Sequence, residues 1–238
     1  MQLATLFQAL AFGPLNNLSL GGCGTGVVPV EQHRRLASLV QTALGRLYTD
    51  FVLAEEDLTL VLRPSRVNYR LHPDHAYTNE ASGAEKYIHD SPFAPFDGEV
   101  IKVTAVYDEL GRDVPLNDRK FAGSVFTPEH DVLQVPTPDA DVVLSVICQM
   151  KHPQLLTADP ADVVDLGVEV HIPPALEEAL IGLTTYYVYS SMNGEENTAK
   201  GAEWLGTYQQ QVSKTKDENL LGRSSTESAT KFHARGFK

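Results

Sequence analysis

Residues 58–71 read LTLVLRPSRVNYRL, and the period of this stretch decides the fold class. Leu58, Leu60 and Leu62 fall on every second position, Pro64 and Ser65 mark a turn, and Val67, Tyr69 and Leu71 resume the alternation. Side chains of a strand point alternately to its two faces, so this stretch predicts a β-hairpin.

Upstream the period is longer. From Val30 onward, Leu36, Leu39, Val40, Ala43, Leu44, Leu47, Tyr48 and Phe51 recur every three or four residues, which predicts a helix with one broad apolar face. Pro29 stands where a first helical turn tolerates a missing N–H. A shorter helix over LATLFQAL (3–10) places Leu3, Leu6, Phe7 and Leu10 together, and the turn-rich FGPLNNLSLGGCGTG (12–26) joins the two.

Downstream the strand idiom continues through KYIHD (86–90), EVIKVTAVYDELGRDVPL (99–116), SVFTPEHDVLQV (124–135) and VVLSVICQM (142–150). The last is apolar enough for a central strand, and the shorter segments suit edges. Turns are expected at Glu109–Arg112 and around Pro136 and Pro138. The helical period returns in HIPPALEEALIGLTTYYVYSSM (171–192), where Pro173 and Pro174 open the helix and Glu177 and Glu178 meet the positive end of its dipole. Ala175, Ala179 and Gly182 form a narrow stripe on which another helix can approach closely. A last helix follows, with Trp204, Leu205, Tyr208 and Val212 expected to face inward.

The fold class is therefore α+β. A helical bundle is built from N-terminal helices (1–57) and C-terminal helices (172–220). A β-rich body (58–171) is inserted between them, and an extended arm (221–238) ends the chain.

The 238 residues carry a net charge of −12, yet the final eighteen hold Arg223, Lys231, Arg235 and Lys238 against Glu227 alone. An acidic body is unsuited to gripping phosphates. The basic arm, with Phe232 and Phe237 spaced along it, suits a strip that orders on an acidic partner, the rings filling pockets. The apolar N-terminus lacks a basic leader and is broken by Pro14, Asn16 and Asn17, so a cytoplasmic protein without a membrane anchor is expected. Cys23 and Cys148 match no metal or redox spacing and read as reduced, buried thiols.

Chemistry is hard to find. GGCGTG (21–26) has neither the glycine order nor the following Lys-Ser/Thr of a phosphate loop, and reads as a flexible hinge. His72, Asp74 and His75, with His89, offer metal-ligand types, but HPDH follows a strand and contains proline, so loop histidines are the plainer reading. Glu55, Glu56 and Asp57 read as a solvated acidic surface before a strand, and nothing suggests carboxylates with separated pKa values. Tyr186, Tyr187 and Tyr189 cannot share one helix face and read as packing. No catalytic site and no cofactor are expected.

PLNNLSLG (14–21), LGRLYTDF (44–51), KYIHDSPFAPFDGEVIKVTAVYDELGRDVPLND (86–118), SVFTPEHDVLQVPTP (124–138), LSVICQMKHP (144–153), IPPALEEAL (172–180) and TKFHARGF (230–237) follow one another along the chain. In that order they resemble the head-to-tail adaptor (connector) proteins of tailed bacteriophages. The resemblance implies a virion neck protein, made in the host cytoplasm. It would form a homo-oligomeric ring, typically a dodecamer, between the portal protein and the tail nozzle or tube protein. DNA would pass through its channel without sequence-specific binding. It implies a portal-docking arm at Thr230, Lys231, Phe232, Arg235, Gly236 and Phe237, and ring packing through the helices bearing Leu36, Leu44, Ala175, Ala179 and Gly182. Two other readings stand beside it: a metal-dependent hydrolase using His72, Asp74 and His75, and a peripheral receptor-binding virion protein using the β-body.

Overall fold

A computed structural model describes residues 1–139, 142–159 and 161–222 of the chain. The fold is α+β, with four α-helices and two antiparallel sheets among the described residues. The described residues divide into two compact units, one from 1–44 with those of 154–222 and the other from those of 45–153.

The first unit holds α1 (Leu3–Phe12), the greater part of α2 (Val30–Asp50), α3 (Glu177–Ser190) and α4 (Glu195–Asp217). Leu3, Leu6, Phe7, Leu10 and Ala11 of α1 are buried, as their spacing predicts. α3 is buried on most of its circumference, including Ala179, Leu180, Gly182, Leu183, Val188 and Tyr189. It packs on α1 and, most extensively, on α4. A Cβ on Gly182 would stand 3.5 Å from the Trp204 carbonyl oxygen and the Tyr208 nitrogen, so this glycine sets how closely α3 and α4 approach. Of the apolar residues expected to face inward on α4, only Tyr208 is buried; Trp204, Leu205 and Val212 are half-buried.

The second unit holds the strands. One sheet has the order β3-β1-β7-β4 and the other β2-β6-β5. The strands are β1 (Glu55–Val61), β2 (Asn68–Arg70), β3 (Ile88–His89), β4 (Val100–Tyr107), β5 (Phe126–Glu129), β6 (Val132–Gln134) and β7 (Val143–Met150). β7 is internal, as its apolar sequence predicts, and the two-residue β3 is an edge. The short β6, however, is the centre of its sheet and the eight-residue β4 is an edge, against the expectation that shorter segments lie outermost. Both sheets feed one core that includes Leu58, Leu60, Tyr69, Tyr87, Val106, Leu133 and Val146. Each such aliphatic side chain contributes about 1.5–3 kcal/mol on burial.

The expected hairpin over 58–71 does not form. β1 pairs with β7 along one edge and with β3 along the other, so it has no free edge for β2. The chain instead crosses at Pro64 and Ser65 into the second sheet, where Tyr69 lies opposite Leu133. The Tyr69 hydroxyl accepts from Arg63 N at 2.7 Å and donates to Arg63 O at 3.0 Å, so the crossover backbone keeps its hydrogen bonds.

Candidate functional site

The arm residues Thr230, Lys231, Phe232, Arg235, Gly236 and Phe237 lie outside the described residues. Leu36, Leu44, Ala179 and Gly182 are buried within the chain itself, and Ala175 is half-buried within the short 3-10 turn Pro174–Leu176 that precedes α3. Any neighbour therefore meets the remaining faces of these helices.

In the β-unit, large apolar groups are left in solvent on hydrogen-bonded turns. Phe93 is 99% exposed in the turn Ser91-Pro92-Phe93-Ala94. Ala94 N donates to Ser91 O at 3.0 Å, and Phe93 N donates to the Ser91 hydroxyl at 3.3 Å. The prolines at 92 and 95 limit the backbone further. The turn is moored by Asp90, whose carboxylate accepts from Thr78 N at 3.0 Å, from Phe96 N at 3.1 Å and from the Thr78 hydroxyl. Burial pushes this carboxyl upward, but those hydrogen bonds outweigh it and hold Asp90 below the ordinary carboxylate range. Phe96 is tucked into the core while Phe93 is held out.

A second turn presents Leu110, 75% exposed, by the same device. Asp108 Oδ1 accepts from Leu110 N and Arg112 N, both at 2.9 Å, and its Oδ2 accepts from Arg112 Nε at 2.7 Å. The Arg112 backbone N–H is the main reason that the Asp108 carboxyl is held low. A third exposed ring, Phe121, lies over Gly123, whose Cβ would come within 3.2 Å of it. Apolar side chains held in fixed positions in solvent are available as anchors for a partner surface.

In the helical unit the counterpart is Phe12, 69% exposed at the end of α1. Its ring lies so close over Gly26 that a Cβ there would fall 2.1 Å from Cε1, and Gly26 has φ +71°. The glycines of GGCGTG are thus required by close approach and left-handed backbone, where the sequence suggested a hinge. Hydrogen bonds from Cys23 N to Leu18 O (3.0 Å) and from Gly24 N to Asn16 O (2.7 Å) tie the loop down. Cys23 is exposed, contrary to expectation, because the loop turns it outward at φ +50°. Cys148 is buried on β7, and burial, aided by Glu56 and Asp57, pushes its thiol up to about 12.

The histidines do different work. His72 Nδ1 stands 3.2 Å from the Asp74 carboxylate, and His75 Nδ1 lies 2.8 Å from the Glu85 carbonyl. The His75 ring stacks on Tyr87 at 4.5 Å, and His89 stacks on Tyr77 at 4.4 Å. Among the described residues no three His, Cys, Asp or Glu side chains converge in a way that could hold a metal ion. Glu55, Glu56 and Asp57 belong to β1 itself. Glu56 is half-buried, and burial, then the charges of Asp97 and Asp90, raise its pKa, a desolvation that the sequence did not suggest. Tyr189 is buried with its hydroxyl 3.3 Å from the Pro14 carbonyl, while Tyr186 and Tyr187 are half-buried and pack ring to ring at 5.3 Å. Among the described residues no helix is long and apolar enough to cross a membrane.

Sequence reasoning passed over the Phe93 turn. Its signal was present in SPFAP: an aromatic between two prolines cannot join a ladder. No protein-family model matches the chain, and no curated protein is similar to it.

Proposed function

We propose that this chain is a head-to-tail adaptor of a tailed bacteriophage, a structural protein of the virion neck and not an enzyme. Copies form a ring, a dodecamer by resemblance, whose helices make the bundle against neighbouring copies. The arm, through Phe232 and Phe237 with Lys231 and Arg235, docks on the portal protein. The β-unit receives the tail nozzle or tube protein.

The observation that carries this reading is the display of Phe93 and Leu110 on turns tied down by Asp90 and Asp108. Groups held in fixed positions in this way lose little conformational freedom when they meet a partner surface, so they are preorganised as anchors for one. The ordered succession of stretches from PLNNLSLG to TKFHARGF supports the choice of partner. The charge split adds to it: an acidic body repels the DNA backbone, so that the genome slides past without sticking, while the basic arm seeks an acidic surface.

Deleting Phe232–Lys238 tests the reading. The expected product folds with unchanged circular dichroism and melting temperature but no longer cosediments with portal-bearing capsids. Electron microscopy of the full chain mixed with portal is expected to show a ring seated on it. Undiminished attachment of the deleted form overturns the docking role.

A further inference from the structure

Residues 154–159 and 161–169 lie along the helical unit as a strap. Arg34 of α2 holds it through three carbonyls, donating to Asp159 O at 2.9 Å, Thr157 O at 3.1 Å and Asp162 O at 3.5 Å. Gln41 accepts from Leu155 N at 2.9 Å. Between strap and helix is a cleft of about 250 Å³ with an apolar floor of Leu155, Val164 and Val168. Val163 stands on its rim, 83% exposed, beside Asp162 and Asp165. The strap also carries Asp159 and Glu169 and no lysine or arginine, and Arg34, the one cation of the lining among the described residues, already serves the three carbonyls.

We propose that this cleft is the resting dock of the chain's own C-terminal segment, which leaves it for the portal. Three matches favour that occupant. A cavity of about 150 Å³ accepts a benzene ring, so this cleft takes one phenyl group, and the segment offers Phe232 and Phe237. The charges oppose: Lys231 and Arg235 flank Phe232, and the rim is acidic. The third is reach: Phe232 lies ten residues beyond Gly222, and that span extends up to ~33 Å. A unit of this size has a radius of gyration of roughly 13 Å.

A resting dock gives the arm a function before assembly. It covers Val163 and a free aromatic, and it sets a threshold that only a better-matched acidic and apolar surface overcomes. The inference rests on the adaptor reading only for where the arm goes on release.

Limited trypsin digestion of the full chain, with cuts at Lys231 and Arg235 followed by mass spectrometry, decides the matter. The wild type is expected to be protected at both sites, at a level independent of protein concentration. Asp162→Lys with Val163→Lys, both on exposed positions, is expected to be cut there roughly tenfold faster, and so is Phe232→Ala with Phe237→Ala, which leaves the cleft intact. Glu80→Lys with Glu203→Lys, exposed positions elsewhere, serves as the charge control and is expected to match the wild type. Equal cutting of wild type and cleft variant overturns the proposal. Protection that disappears on dilution also overturns it, because the occupant is then a second copy's arm. If the cutting rates are equal yet deletion of Phe232–Lys238 abolishes portal attachment, the resting dock falls and the adaptor reading stands. If protection behaves as expected and the deleted form still attaches, the reverse holds.

Discussion

Gln149, fully buried on β7, donates from its Nε2 to the carbonyl of Phe51 at 3.1 Å, and the same nitrogen serves the Tyr48 carbonyl. The last turn of a helix leaves its carbonyls without intrahelical donors. α2 has no lysine or arginine in that turn to meet them. A strand side chain takes the part, and so the end of α2 is pinned to the central strand of the first sheet.

Gln149→Leu is expected to destabilise the protein by about 1–2 kcal/mol, since the loss of two hydrogen bonds is partly offset by removal of Oε1, a buried atom without a partner. Gln149→Glu is expected to cost more, about 3 kcal/mol or above, because it buries a carboxylate against two carbonyl oxygens. Urea unfolding at neutral pH measures both. Equal midpoints for wild type and Gln149→Leu would show that the pin is dispensable.

The α3–α4 contact makes a graded prediction. The atoms nearest a Cβ at Gly182 stand at 3.5 Å, an ordinary contact distance. Gly182→Ala therefore fits, and gains up to about 1 kcal/mol of helix propensity. Gly182→Leu must push α4 away and is expected to cost about 1–3 kcal/mol. Thermal melts should rank alanine at or above the wild type and leucine below it.

Asp90 gives the Phe93 turn a pH dependence. Its carboxyl is held below the ordinary range, so its contribution to stability is fully present above the unfolded carboxylate pKa and is lost as pH falls through the depressed folded value. Protection factors of Thr78 N and Phe96 N, both donors to Asp90, are expected to fall more than those of the rest of the β-unit once pH drops below the ordinary carboxylate range. Asp90→Asn should show fast exchange already at neutral pH, with little further change on acidification. Uniform protection of these amides down to acid pH in the wild type would remove Asp90 as the mooring.

Much of the fold was legible in residue spacing. Leu3, Leu6, Phe7 and Leu10 had to share a helix face, and VVLSVICQM had to be internal, because each pattern leaves only one way to bury its apolar side chains. Partner choice was not legible. Leu58–Leu71 has the alternation and the turn of a hairpin, and only the competition for hydrogen bonds between distant strands gives the edges of β1 to β3 and β7.

The candidate surfaces divide in the same way. The basic, aromatic ending and the acidic body follow from residue types, which no packing can alter. Tertiary structure decided that Phe96 is buried while Phe93 stands out, that Cys23 faces solvent, and that the Asp162–Asp165 stretch rims a cleft held by Arg34. Exposure and pKa depend on which remote groups come near. A sequence fixes what each residue is able to do, and the fold fixes what it meets.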